Sequence, residues 1–134
     1  MLRIETERSL QHYYRHNQTE VSMQKPQLKQ DPMYQLLKEG KVEEFNQRRA
    51  NGEHCDLRNA DLRSTDLRDL DARNLDLSGA YLRHADLRGL NLSETNLEGA
   101  SINSAKISGT YFAPTLSAEE ITLSLVHGTR LRNR

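Results

Sequence analysis

The stretch CDLRNADLRSTDLRDLDARNLDLSGAYLRHADLRG, residues 55–89, carries an apolar residue at every fifth position. These positions hold Leu57, Leu62, Leu67, Ala72, Leu77, Leu82 and Leu87. An α-helix repeats near 3.6 residues and a β-strand at two, so neither element alone explains a period of five. The period therefore has to be explained before any other pattern is considered.

The same period continues to residue 114, which makes twelve units of five residues. The remaining central positions are also apolar: Leu92, Leu97, Ile102, Ile107 and Phe112. Two positions before each centre the residue is mostly small, as at Cys55, Ala60 and Thr65. Two inward residues in five suit a short extended segment followed by a corner, because alternate side chains of an extended chain face opposite ways. Corners that all turn the same way wind the chain into a solenoid.

Units such as ADLRS, TDLRD, ADLRG and TNLEG resemble the A-(D/N)-L-x-x signature of the pentapeptide-repeat family. The resemblance covers residues 55–114 and is that of a short bacterial member. It implies an all-β solenoid, a right-handed quadrilateral β-helix with four units per coil and therefore about three coils. The unit LDARN exchanges its large and small residues, Leu70 and Ala72, which keeps the interior volume nearly constant. Glycine ends four units, where it suits a corner: Gly79, Gly89, Gly99 and Gly109.

Both ends of such a stack need covering, since an open end exposes apolar core and unpaired strand edges. Residues 31–54 are predicted to form a helical N-terminal cap, because Asp31-Pro32 is typical of a helix start. Two short helices follow, with a break near Gly40. Two apolar residues one helical turn apart are the candidates for covering the first coil: Val42 and Phe45.

Residues 115–134 are predicted to form a C-terminal capping helix followed by a basic tail. Ser117 and Glu120 have the spacing of a capping box, and Gly128 suits the helix end, although ITLSLV also alternates like a strand. Four apolar residues exceed what one coil end needs: Ile121, Leu123, Leu125 and Val126. They indicate either self-association as a homodimer, which the resemblance also implies, or coverage of Phe112 alone. The tail arginines either contact a partner's acid or keep the C-terminal end soluble: Arg130, Arg132 and Arg134.

Composition limits the classes of function. The 19 basic and 19 acidic side chains cancel, so no overall field favours nucleic acid or an anionic membrane. A single cysteine, Cys55, excludes an internal disulfide, and neither a membrane span nor a secretory signal is recognisable, which favours the cytoplasm. Residues 1–30 are polar and without a sustained period, and we predict a flexible segment there, with Met23 as an alternative start.

No motif for catalysis stands out. Cys55 occupies an inward position, so a core thiol is the simpler interpretation, and no histidine has companions at metal-ligand spacing. The sequence therefore predicts no catalytic residues, no cofactor, no metal and no enzymatic activity. A static protein-interaction scaffold with an unknown protein partner is the preferred hypothesis.

Two other hypotheses stay open. The resemblance implies that some relatives bind DNA gyrase as DNA mimics, but residues 55–114 carry nine acids against seven bases, too balanced for phosphate-like charge. In the first coil every aspartate of the signature has an arginine two residues later. Weak nucleic-acid or phosphate binding is the third hypothesis, through a candidate partner surface of Arg63, Tyr81, Arg83, Arg68 and Arg88. A mutually neutralising exterior is the alternative explanation of these arginines.

Overall fold

The computed structural model describes residues 31–134. The predicted flexible segment at residues 1–30 and the alternative start at Met23 lie outside the described residues. The regular elements are α1 (Pro32–Lys38), α2 (Val42–Ala50), β1 (Asn91–Leu92), β2 (Tyr111–Phe112) and α3 (Ala118–His127).

Helix α1 begins where the sequence indicates. Asp31 accepts a hydrogen bond from the Met33 backbone N–H at 2.8 Å, and Pro32 occupies the first turn, where a helix needs no N–H. The other carboxylate oxygen of Asp31 accepts from the Asp56 N–H, also at 2.8 Å. One side chain therefore starts the helix and attaches it to the first repeat unit.

Helix α2 packs against the start of the repeats. Val42 is 7% exposed and Phe45 is 0% exposed, and both belong to the main hydrophobic core. The Asn46 amide donates to the Asp69 carbonyl at 2.8 Å, while its oxygen accepts from the Asp71 N–H at 2.9 Å. The helix thus supplies both apolar cover and polar partners to the first turn of the repeats, whose backbone edge would otherwise be unpaired.

Between residues 55 and 114 the chain meets its own backbone again every twenty residues, or four units of five. The isolated parallel bridges are Asp61–Tyr81, Asp66–Asp86, Asp76–Asn96, Tyr81–Ser101 and Asp86–Lys106. The backbone hydrogen bonds agree: the Leu62 N–H donates to the Tyr81 carbonyl at 2.9 Å, and the Leu82 N–H to the Ser101 carbonyl at 2.8 Å. Equivalent positions in every fourth unit therefore lie one above the other.

Regular strand is scarcer than the predicted all-β segment suggests. Strands β1 and β2 are two residues each and pair in parallel, with Asn91 opposite Tyr111. The chain turns again after each short extended piece, so the other stacked positions form single bridges rather than strands.

The corners show why the extended pieces are short. The last residue of ten units has a positive φ: Asn59, Ser64, Asp69, Asn74, Gly79, His84, Gly89, Gly99, Ser104 and Gly109. The glycine corners predicted from the sequence are confirmed, and asparagine, aspartate and histidine also tolerate this region better than most residues. At Gly79 an added Cβ would lie 2.0 Å from the Asn59 Oδ1, so a larger residue there would require the Asn59 side chain to move.

The central residues of the units form the core of the molecule. Leu62, Leu67 and Leu82 are 0% exposed. The exchanged pair also stays inside, with Leu70 and Ala72 both buried. The leucine period is therefore explained by one continuous apolar interior, in which exchanging a large for a small residue conserves volume.

Helix α3 forms as the capping-box pattern predicts, and the strand alternative for ITLSLV is wrong. Ser117 accepts a hydrogen bond from the Glu120 N–H at 3.1 Å, and Gly128 ends the helix in the left-handed conformation. Ser124 is fully buried, and its hydroxyl accepts a hydrogen bond from the Ile102 N–H at 3.0 Å. This contact places the helix against the last repeats. A side-chain hydroxyl thus replaces the carbonyl that a further coil would have supplied.

The basic tail packs against the repeats through Leu131, while Arg132 and Arg134 stay exposed. Leu131 is 0% exposed, its carbonyl accepts from the Gly99 N–H at 2.7 Å, and its N–H donates to the Ala100 carbonyl at 2.8 Å. Arg132 pairs with Glu120 of the same chain at 3.0 Å, rather than with a partner's acid. The tail therefore fills backbone positions on the open edge of the repeats, because an edge left bare would carry unpaired N–H and C=O groups.

Candidate functional site

The outward side chains of the repeats form a belt of aspartate–arginine pairs. In each pair the arginine lies two residues after the aspartate, and the contacts run from 2.7 to 3.1 Å: Asp56–Arg58, Asp61–Arg63, Asp66–Arg68, Asp71–Arg73 and Asp86–Arg88. The predicted self-neutralising exterior is confirmed for these units. A DNA mimic needs acids that are not compensated, so the belt does not favour that mode of action.

Four of the pairs lower the pKa of their aspartate: those of Asp61, Asp66, Asp71 and Asp86. Hydrogen bonds from the Arg73 guanidinium bring the pKa of Asp71 to about 2, and those from Arg88 bring the pKa of Asp86 to about 2. The Arg63 guanidinium holds the pKa of Asp61 below its usual value in the same way. A carboxyl whose pKa is lower in the folded state adds stability above its unfolded pKa, and that stability is lost as the pH falls through the folded pKa.

We therefore expect the thermal unfolding midpoint to stay level from pH 8 to 5 and to fall between about pH 4 and pH 2. Asp71→Asn removes one of the titrating pairs, so it should reduce the acid-induced loss by a small fraction, because exposed pairs contribute little individually. Differential scanning calorimetry across this range measures the effect, with Glu119→Gln on the exposed part of α3 as the control. A thermal unfolding midpoint that does not fall below pH 4 would contradict the aspartate–arginine pairing.

The five residues of the candidate partner surface do not form one site. Arg68 and Arg88 both lie beside Asp86, at 3.4 and 2.7 Å, and line an open depression of about 650 Å³ together with Asp66 and Asp69. Their charge is largely balanced by these carboxylates. They are therefore less suited to a phosphate than an arginine without an acidic neighbour.

The other three residues of that surface line a separate cleft of about 400 Å³ on the neighbouring column of side chains. Among residues 31–134 its lining is Arg63, Tyr81, Arg83, Ser101, Asn103, His127, Gly128 and Arg130. Backbone pairing stacks them, since the Ser64 N–H donates to the Arg83 carbonyl at 2.8 Å and the His84 N–H to the Asn103 carbonyl at 3.0 Å. The described part of the lining includes three arginines and no acid, and we call it the cationic cleft.

Sequence reasoning missed the part of the cationic cleft that comes from the C-terminal segment. Helix α3 places His127 and Gly128 beside Asn103, whose amide donates to the Leu125 carbonyl at 3.2 Å. The tail then brings Arg130 to the Gly99 carbonyl at 2.9 Å, with its guanidinium 5.0 Å from the centre of the Tyr81 ring. These residues lie far from the repeats in sequence, so no period or motif indicates that they share a site.

The apolar residues of α3 divide into two sets. Ile121 and Leu125 pack against the core, whereas Leu123 is 39% exposed and Val126 is 60% exposed. The sequence alone does not show which of the four are buried. The packing of the helix distinguishes the two buried-side residues from the two exposed ones. Leu123 and Val126, three residues apart on one side of α3, form what we call the α3 apolar patch.

The described residues offer no evident reactive centre. Cys55 is half-buried against the core, and burial raises the pKa of its thiol, which reduces its reactivity at neutral pH. Within residues 31–134 no group of acids, histidines and cysteine is arranged to hold a metal ion. In the same range no helix is both long and apolar enough to cross a membrane.

Comparison with known proteins identifies the repeats. A family model described as pentapeptide repeats matches in eight copies, over residues 41–69 and 76–112. The match omits residues 70–75, where Leu70 and Ala72 exchange places, and it begins at residue 41, directly before α2, so that it includes the whole of that helix.

No curated protein and no solved structure matches this chain. The family model is therefore the comparison that bears on its identity, and pentapeptide repeats imply a β-helix type of solenoid. Stacking at twenty-residue intervals agrees with that type. From its repeats and their match, the chain belongs to the pentapeptide-repeat family.

Proposed function

We propose that this protein is a non-enzymatic interaction scaffold in the cytoplasm, which binds protein through the C-terminal end of its repeats and forms a homodimer there. The observation that carries the proposal is the α3 apolar patch. Large hydrophobic residues that stay exposed next to a complete core are typical of interaction surfaces. Among residues 31–134, Leu123 and Val126 are two such residues, and Tyr111 in β2, at 69% exposed, is a third.

The architecture that we infer for this scaffold is finer than the family alone implies. We infer a right-handed, four-sided β-helix of about three coils over residues 55–114, with α1 and α2 capping one end and α3 with the tail capping the other. The twenty-residue spacing of the bridges supports four units per coil. The buried Phe45 and Leu131, one from each flanking segment, support the two caps.

A second copy of this chain is the partner that the α3 apolar patch suits best. The formal net charge is zero, so no overall repulsion opposes association of two copies. The last repeats already have their backbone edge occupied by Ser124 and Leu131, so association by strand addition is blocked along that stretch. Contact between two α3 helices through Leu123 and Val126 is the arrangement left.

We expect Val126→Asp to convert a dimer to a monomer, because a buried interfacial carboxylate without a partner is costly. Light scattering during size-exclusion chromatography measures the mass, and circular dichroism checks that the fold is kept. Gln47→Asp, an exposed position on α2, adds the same charge away from the patch and should leave the dimer intact. A wild-type protein that stays monomeric at millimolar concentration would contradict the homodimer.

A further inference from the structure

We propose that the cationic cleft is a binding site for the phosphate group of a small molecule, either free phosphate or a phosphate monoester. The inference is independent of the protein-interaction scaffold, because it concerns a different surface. It rests on one unit that departs from the Asp–Arg pattern of the repeats, on the composition of the cleft and on the residues that the C-terminal segment adds to it.

The unit that departs from the pattern is AYLRH, which has Tyr81 where other units have aspartate. In five units that aspartate stands two residues before the arginine and pairs with it. Arg83 consequently forms no ion pair with any residue in 31–134, and its Nε contacts only the His84 ring nitrogen at 3.4 Å. The change from aspartate to tyrosine therefore leaves a guanidinium lining the cleft without an acid of residues 31–134 to compensate its charge.

The surroundings of Arg83 add donors and no acid to the lining. Arg63 lies one coil away on the same column, but Asp61 already holds it through contacts at 2.7 and 2.8 Å. Arg130 is positioned by the Gly99 carbonyl and by the Tyr81 ring. Ser101 and Asn103 add a hydroxyl and an amide, which can each donate a hydrogen bond to a phosphate oxygen.

Guanidinium groups suit phosphate because their planar donors can contact two oxygens at once. Arg83 and Arg130 come from two separate segments of the lining, so a compact dianion could contact both simultaneously. A volume of about 400 Å³ also exceeds what a single phosphate needs, so the cleft has room for the organic part of a monoester. Tyr81 keeps its ring beneath Arg130 and helps to hold that guanidinium in place.

Isothermal titration calorimetry with inorganic phosphate and with glycerol phosphate tests the proposal on the full chain. We expect Arg83→Gln to weaken binding of both probes at least about tenfold, as for loss of a charged hydrogen bond. Tyr81→Asp should have a similar effect, because it restores the aspartate of the other units and pairs with Arg83. That variant is expected to fold, since aspartate occupies the stacked positions at Asp61, Asp66 and Asp86.

Arg73→Gln is the matched control, since Arg73 is the equivalent arginine of another unit and is already paired with Asp71 at 2.8 Å. It should bind both probes like the wild type. Equal weakening by Arg73→Gln and Arg83→Gln, or no binding by the wild-type protein, would overturn the proposal. Tighter binding of a single-stranded oligonucleotide than of glycerol phosphate would also overturn it, because it would assign the arginines to a nucleic-acid backbone.

Discussion

Replacing Phe45 by alanine is expected to lower the free energy of unfolding by about 3–5 kcal/mol. The Phe45 side chain is fully buried on α2, in contact with the core of the repeats, so the truncation removes apolar burial and leaves a cavity. Urea denaturation at an unchanged m-value measures the loss. A destabilisation of this size would show that α2 is an integral part of the fold.

Phe112→Ala is the control for Phe45→Ala. It deletes the same group from β2, where Phe112 packs against the core but is only partly buried, so a smaller loss is expected. If Phe45→Ala lowered the free energy of unfolding no more than Phe112→Ala does, the packing of α2 against the first turn of the repeats would be contradicted.

Leu131→Ala is the second large effect, with an expected loss of about 2–5 kcal/mol. Leu131 is fully buried although it stands between arginines four residues from the chain end. Leu123→Ala makes the same chemical change on the exposed side of α3, and its loss should stay below about 1 kcal/mol. Thermal and urea unfolding of both variants separates a structural tail from a solvent-exposed one. Similar values for the two leucines would contradict the packing of the tail.

The interior was predictable because each unit repeats the same local arrangement. An extended backbone directs Leu62 and Ala60 to the same side, whatever the rest of the chain does. The same geometry places Arg63 beside Asp61, so the neutral belt follows from residues two apart. Predictions that depend only on neighbouring residues therefore agree with the structure.

Contacts between distant segments were not predictable in this way. Leu131 lies in a stretch without any period, and its partners Gly99 and Ala100 are about thirty residues earlier. On α3, the sequence does not show that Ser124 faces the repeats and Val126 does not, because that depends on the angle at which the helix docks. The buried serine is explained only once its hydroxyl is seen to accept from the Ile102 N–H.

The cationic cleft was predictable in part, since it combines neighbouring residues of the repeats with residues from a distant segment. Its signal was present in the sequence, because Tyr81 replaces the aspartate that stands two residues before an arginine in five other units. The reading of the sequence grouped Arg83 with Arg68 and Arg88, whereas the structure shows that the latter two share Asp86. A unit that departs from the repeat is therefore more informative about a site than the units that follow it. The residues that recur from unit to unit mainly serve folding and charge balance.

The central claim is that every fourth unit stacks, and methyl-labelled NMR tests it most directly. Parallel strands one coil apart lie about 4.8 Å from each other. We therefore expect nuclear Overhauser contacts between the methyl groups of Leu62 and Leu82, and between those of Leu82 and Ile102. Contacts between Leu62 and Leu77 instead, fifteen residues apart, would mean three units per coil and would contradict the stacking.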